Sequence, residues 1–544
     1  MDNDNGMKTI LPFIIGRKRI MPTALFIIHS SLFVSPAGAQ TWNEGYLNQP
    51  QNLRYESMSP TRLSYNTTKD FAVASVGYGM AKGDFHAIDA SGDAHALNAY
   101  IGGLRSIGGF SLGGHLSYKN SKDNQQAWNS TQWNLRDNPF VLCDSIPGDA
   151  TTEVFDLGAD GVYTFSEKLK AGLAIGLRTS SRSDQTDPRP HTTSAIIPIT
   201  IGADYQLSDH WIVGMVGGVT MGSSVIEYSN VETNISRRYF LMKGMGDYAK
   251  RSSSDESGYQ RDYKTTTWRG ALNAQWTNGS KWSDFVEACA SITSQDATDG
   301  SSYTFKGGDY KQMTFTLHNR LLWQQTARLV HNFIIDAAYQ DGKASWYEQK
   351  RQTDLEHGNI QYYRILSKNT NHKNQRLTAS LNYQLDMRRA DGRRDITAKA
   401  GVGYESTTRK QLLGYATPKQ EIQMLNLEAG VGKTIYIDKV VLLCQLNGGY
   451  RTPQTQKYAS GCTYATAEDG NIDADYVRPV FEWESAQSWH IGALADVCLP
   501  MSQQLVAGLC AKVNYRAYNG KNEYWTGYDG THYTVADFTA YLKF

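Results

Sequence analysis

The chain has 544 residues, with 54 Lys plus Arg against 53 Asp plus Glu and a formal net charge of +1. So even a balance points to neither nucleic-acid binding nor an acidic tail. Mean hydropathy is −0.49, and past residue 39 no apolar run approaches the roughly eighteen residues of a membrane-crossing helix.

Arg17, Lys18 and Arg19 precede the apolar run IMPTALFIIHSSLFV, and Ala37-Gly38-Ala39 follows it. Charged start, apolar middle and small-residue end make a secretory signal, so residues 1–39 are expected to be cleaved after Ala39. No Cys stands at the cut, which excludes a lipoprotein of the usual kind. Removal of this segment moves the net charge to −1. Residues 40–67 show no period and are expected to form a periplasmic or lumenal arm.

From 68 to 544 the pattern changes. In QRLTASLNYQLDM (375–387), Leu377, Ala379, Leu381, Tyr383, Leu385 and Met387 alternate with Arg376, Thr378, Ser380, Asn382, Gln384 and Asp386. Period-two alternation places one set on each face of a strand. The same pattern recurs at 69–80, 95–105, 109–118, 153–165, 168–179, 193–207, 210–224, 265–277, 281–294, 312–325, 329–342, 375–388, 394–407, 421–435, 439–451, 480–499, 503–518 and 532–544. That reading gives about eighteen strands, within a range of 16–20. High Tyr (33), Trp (12) and Gly (49) with only 14 Pro suits long strands carrying interfacial aromatics.

Connection lengths alternate. SIG, SE, SD, NGS, TAR, ADGRR, IDK and MSQ are tight hairpin links, whereas 119–152, 225–264, 343–374 and 452–479 are long. Such segregation by parity is the layout of an all-β, transmembrane, antiparallel outer-membrane β-barrel with short periplasmic turns and long extracellular loops. Trp268 and Trp276 share a face opposite Arg269, Asn273 and Gln275. They lie roughly 26 Å apart along a strand, one ring for each membrane interface. At the end, VADFTAYLKF sets Phe538, Ala540, Leu542 and Phe544 on one face. The apolar side of 375–387 is therefore expected to face lipid, in the outer membrane of a Gram-negative bacterium, with both termini periplasmic.

If the apolar faces point outward, the lumen is lined by charges of both signs. The inward set comprises Asp156, Asp160, Asp204, Arg269, Glu287, His318, Arg320, Asp336, Arg376, Asp386, Lys399, Glu428, His490, Asp496, Lys512 and Arg516. Arg320, Arg376, Lys399, Lys512, Arg516, Asp386 and Asp496 are the lumen-lining candidates. Hydrated, paired wall charges are the plain reading; a selectivity lining whose basic members attract anions is the functional one. His318 and His490 stand near inward acids but show no nucleophile at interpretable spacing, so no catalytic residue is assigned. AGVGKT (429–434) lacks the first Gly of a phosphate loop, since Leu427 stands there. No nucleotide cofactor is expected.

Glu468, Asp469, Asp473 and Asp475 cluster in EDGNIDAD (468–475), an oxygen-rich loop without EF-hand spacing. A solvated acidic loop is the plainer reading than calcium, and no metal is assigned. Of six Cys, four fall in strand patterns; Cys143 and Cys462 lie in loops on one side, where a disulfide is the lesser reading beside two free thiols. The loops 225–264 and 343–374 are rich in Tyr, Arg and Lys, a composition suited to protein interfaces, and long enough to fold inward as a constriction.

With QTWNEGY at the mature start and ADFTAYLKF at the end, the chain resembles an outer-membrane β-barrel family of Bacteroidota encoded beside TonB-dependent transporters and surface lipoproteins. The resemblance implies a place in nutrient uptake, as a channel or an accessory subunit of a TonB-dependent transporter complex. It also implies such a transporter and a surface lipoprotein as partners; the final strand ending in Phe544 resembles the signal read by the barrel insertion machinery, and the apolar faces are expected to meet outer-membrane lipids. An occluded barrel that anchors or assembles a surface protein is the alternative, and a barrel hydrolase a third. Residues 40–67 are too few for a transporter's plug domain. The resemblance carries over no site residue.

Overall fold

The structure, a computed structural model, describes residues 52–544 except 67–69, 129, 131–136, 233, 253–257, 280, 301–302, 355, 357–359, 413–416, 460–471, 503 and 519–531. The expected signal segment, Cys462 and residues 468–471 of the acidic stretch 468–475 lie outside the described residues.

Among the described residues there are twenty-one strands. They run β1 (Phe71–Gly83), β2 (Asp93–Ile107), β3 (Phe110–Gln126), β4 (Leu142–Cys143), β5 (Gly148–Thr164), β6 (Leu169–Asp184), β7 (Pro190–Gln206) and β8 (Trp211–Ser229). Next come β9 (Arg238–Gly244), β10 (Asp247–Ser252), β11 (Gly258–Thr277), β12 (Trp282–Asp299), β13 (Phe305–Gln324), β14 (Leu329–Asp354) and β15 (Ile360–Arg388). The last are β16 (Arg394–Gln411), β17 (Lys419–Ile437), β18 (Val440–Ala459), β19 (Ser488–Pro500), β20 (Val506–Tyr518) and β21 (His532–Lys543). Eighteen of them form one antiparallel sheet that closes where β1 pairs with β21. The other three, β10-β9-β4, make a small separate sheet.

Every predicted strand is found, and closure removes every free edge from the membrane-crossing part. Links at one end are minimal. Between β2 and β3 only Gly108 and Gly109 intervene, with Gly108 at φ +57°, where a side chain is disfavoured and a tight turn needs it. Outward faces carry the apolar set: Trp268, Leu272, Met215 and Leu509 are 65%, 67%, 61% and 65% exposed. No soluble core covers them, so lipid is the solvent that such an exterior matches. At the short-turn end outward rings pair, as in Trp282 on Trp323 at 5.1 Å and Phe110 on Tyr163 at 4.5 Å.

Two expectations are corrected. Residues 343–374 are not a loop: β14 and β15 stay paired as far as Asp354↔Ile360. Beyond Tyr347 and before Asn371 both faces of that hairpin are half-buried or exposed, so its sequence lacks the apolar alternation that marks the wall below. The strand expected over 480–499 begins only at Ser488, because Arg478–Glu484 forms a helix, α1, after a π-helical turn at Asp473–Val477. Pro479 in the first turn of α1 costs no hydrogen bond there.

Candidate functional site

Read along its inner face, the wall is buried, then exposed, then buried again. On β14, Val330 and Asn332 are buried, Asp336 is exposed, and Gln340 and Ala344 are buried. On β16, Thr397 and Thr407 flank exposed Lys399; on β17, Thr434 and Met424 flank exposed Glu428. Water therefore reaches the middle of the lumen, while side chains fill both ends. A barrel of this strand number is too wide for wall side chains alone to fill, so other parts of the chain do so.

At the short-turn end the filler is the arm. Residues 52–66 lie against the inner faces of β3 to β13, ending in a 3-10 turn, Pro60–Tyr65, whose start Ser59 caps by accepting from the Thr61 amide. Arg54 is 1% exposed. It donates to Asp204 at 2.8 Å, Asn273 at 3.2 Å and Gln275 at 2.8 Å, and its guanidinium stands 5.3 Å from the Phe285 ring centroid. Glu287 accepts from the Ser57 hydroxyl at 2.6 Å and the Met58 amide at 3.0 Å. Arg62 pairs with Asp160 at 3.1 Å, and Lys170 lies 3.9 Å over the Tyr65 ring. Buried charges survive only when paired and hydrogen-bonded; here wall carboxylates and arm cations do that for each other.

At the long-loop end three in-folded segments form a cap: the stretch around β4, the β9–β10 hairpin, and α1 with its preceding turn. The cap is bonded around the ring. Thr192 on β7 donates to the Ser130 carbonyl at 2.5 Å, Tyr263 on β11 to the Phe140 carbonyl at 2.7 Å, and Asn371 on β15 to the Lys243 carbonyl at 2.6 Å. Arg409 on β16 donates to Glu484 at 2.6 Å and Asp137 at 3.3 Å; Gln456 on β18 donates to the Ser485 carbonyl at 2.6 Å. Apolar packing dominates. Leu142, Tyr239 and Leu241 of the cap pack with Ile226, Tyr228, Tyr259 and Tyr263 of the wall. Phe140 fills the space left by Gly308 against Tyr310 and Ala344. Asp144 lies buried beside Tyr228, and desolvation pushes its carboxyl up to about 6.

The expected inward-folding of 225–264 is thus met by β9 and β10, whereas 343–374 stays in the wall and rises above the rim. Cys143, in β4, is a buried free thiol. Asp473 accepts a hydrogen bond from Tyr458, and among the described residues no cluster of His, Cys, Asp or Glu is suited to a metal ion.

The candidate residues divide by level. Arg320 donates to the Asn332 side chain at 3.1 Å and to the Asn52 carbonyl at 3.3 Å, so it serves the arm. Asp386 accepts from Thr397 at 2.8 Å, and Asp496 from the Tyr541 hydroxyl at 2.8 Å, within the buried short-turn end. Lys399 faces the hydrated middle, and Lys512 stands between Leu494 of β19 and Asp537 of β21. Arg376 and Arg516 stand higher, under the cap, in a row that also includes Glu405, Arg451 and His490. His318 bonds to Asp336 at 2.7 Å and lies 3.3 Å from Glu56 of the arm. The reading of the sequence missed Arg54, Asp137, Arg409 and Arg451 as organisers of the lumen. Arg451 lies at the last step of the 439–451 alternation, where facing was assignable.

A family model matches residues 60–544, nearly the whole described chain. The chain belongs to the family of unknown function DUF6850. No curated protein matches it. Among solved structures, the RagAB peptide importer in its closed-closed state is similar at a TM-score of 0.40 and 8% identity, over 87% of each chain. The ferric yersiniabactin uptake receptor FyuA of Yersinia pestis is similar at 0.37 and 9%, over 88% of this chain and 81% of that one. BauA, the ferric preacinetobactin receptor of Acinetobacter baumannii, is similar at 0.39 and 9%, over 88% and 80%. Likeness of that degree carries nothing about cargo or partners.

Proposed function

We propose that the protein is an outer-membrane uptake barrel, closed at rest, that admits solute when its cap is displaced. Its short turns and both ends of the mature chain face the periplasm. It has no chemistry of its own and works beside a TonB-dependent transporter and a surface lipoprotein, as the sequence resemblance implies. The observation that carries this reading is the burial profile of the inner face. A barrel kept only as an anchor has no use for a hydrated, charged middle, whereas a solute path does.

One feature favours the anchoring alternative in part. The outer edge of β15 pairs with β16 only from His372, so among the described residues 360–370 keep an unpaired edge above the rim. Exposed strand edges accept partner strands. We take this hairpin as the docking element of the uptake assembly. Planar-bilayer recording separates the two readings. Wild-type protein should conduct rarely, and a variant with Arg238–Ser252 replaced by a short Gly-Ser link should conduct steadily. If the shortened cap also leaves the barrel silent while it migrates as folded protein, the lumen is filler and the anchor reading stands.

A further inference from the structure

We infer that the chamber binds an oxyanion, a carboxylate or phosphate group, at a basic row beneath the cap formed by Arg376, Arg451, Arg516 and His490. This deepens the uptake reading by naming a solute class. It rests on the hydrated chamber but is tested without flux, so either can fail alone.

The row is set by register. Arg451 on β18 sits opposite Ser488 on β19, His490 opposite Arg516 on β20, and Gly449 opposite His490, all on inward positions. On the other flank Glu405 of β16 pairs with Arg376 of β15 and lies 3.7 Å from Arg451. Glu405 thus bridges two of the guanidinium groups, and among the described residues Arg516 pairs with no carboxylate.

That third arginine differs from the protein's most deeply buried ones. Arg54, Arg261 and Arg409 are all deeply buried and each grips a carboxylate, at 2.8, 2.6 and 2.6 Å. Arg516 is 8% exposed, yet its hydrogen bonds run to the Ser488 hydroxyl, at 3.3 Å from Nε and 3.1 Å from Nη2. Its guanidinium stands 4.9 Å from the Phe85 ring and 5.6 Å from that of Trp483 in α1. Rings on its flanks fix its plane and exclude water without neutralising it. A guanidinium carries five N–H donors in a fork that matches two oxygens of a carboxylate or phosphate. Among the described residues no carboxylate lies within ion-pair distance of Arg516. Unlike Arg54, Arg261 and Arg409, Arg516 is buried without a carboxylate among the described residues, beside a hydrated space from which an anion can come.

Calorimetric titration of the detergent-purified full chain at low salt tests this, with citrate and inorganic phosphate as probes and maltose as neutral control. Wild type should bind at least one of the two anions and not maltose. Arg516→Gln and the more exposed Arg451→Gln should each weaken binding at least tenfold, with folding checked by heat-modifiable migration. Glu405→Gln, which removes the competing carboxylate, should strengthen it several-fold. Arg328→Gln, on an exposed short turn, should bind as wild type. No binding by wild type, or equal weakening by Arg328→Gln, overturns the site. So does undiminished binding by a folded Arg451→Gln variant.

Discussion

The two fillings of the lumen are built from different chemistry. The arm is held by charge: Arg54 to Asp204, Arg62 to Asp160, Ser57 and the Met58 amide to Glu287. The cap is held chiefly by apolar and aromatic area, with Tyr228 on Tyr239 at 5.0 Å and Trp128 on Phe240 at 5.6 Å. Desolvated ion pairs tolerate no partial loosening, because separating one strands a buried charge. Apolar area is lost in increments and without preferred direction. In the cap Arg409 pins α1 and the stretch before β4 by such ion pairs, through Glu484 and Asp137, so the arm and those two segments are the fixed inserts and the β9–β10 hairpin is the part expected to move.

Breaking the arm's main pair should have the largest effect. Asp204→Ala strands Arg54 at a cost of roughly 3–5 kcal/mol. Trypsin should then cut at Arg54 and Arg62 while the cap stays protected; an arm still protected in this variant would contradict the charge-held reading. Leu241→Ala in the cap leaves a cavity costing roughly 2–5 kcal/mol. Amide exchange should rise over β9 and β10 and stay unchanged in 52–66. Faster exchange in the arm as well would mean the two inserts are one cooperative unit.

A wall substitution sharpens the contrast by leaving both inserts alone. Leu381 is 45% exposed on the outer face, and its neighbour Ser380 stands opposite Asp336 on the inner one. An outward Arg near the midplane costs roughly 2–4 kcal/mol, whereas an inward one meets water and a carboxylate. Leu381→Arg should lower the yield of heat-modifiable barrel far more than Ser380→Arg, and equal yields would refute the facing.

The smallest effect is on pH. Asp144 has its carboxyl raised to about 6 by burial. A raised carboxyl contributes stability that is full below its unfolded value near 3.9 and is lost as pH rises through about 6. The cap should thus tighten by on the order of 1 kcal/mol between pH 7 and pH 5. Asp144→Asn should flatten that part of the pH profile of cap exchange; an unchanged slope would assign it elsewhere.

How far the sequence foretold this follows from what each region touches. Stretch 375–387 has lipid on one side and lumen on the other, so alternation betrays both strand and facing. Beyond Tyr347 on β14 and before Asn371 on β15 the hairpin is half-buried or exposed on both faces, and nothing in 343–374 marks it as paired. The inserts were harder still. Arg54 and Asp204 are 150 positions apart, and Arg409 and Asp137 are 272 apart, so neither pairing leaves a local pattern. The basic row was partly legible: facing picked out Arg376, Arg516 and His490, but only strand neighbours join them to Arg451 and Glu405.

Lysine footprinting tests the closed, hydrated lumen most directly. Lys399 is exposed, but only to the chamber between the inserts, whereas Lys439 is exposed on a short turn. A bulky acylating reagent applied to the folded barrel in detergent, followed by peptide mass spectrometry, should label Lys439 fully and Lys399 hardly at all. Replacing Arg238–Ser252 by the short link should expose Lys399 to labelling. Equal labelling of Lys399 and Lys439 in the wild-type protein would contradict a lumen closed at rest.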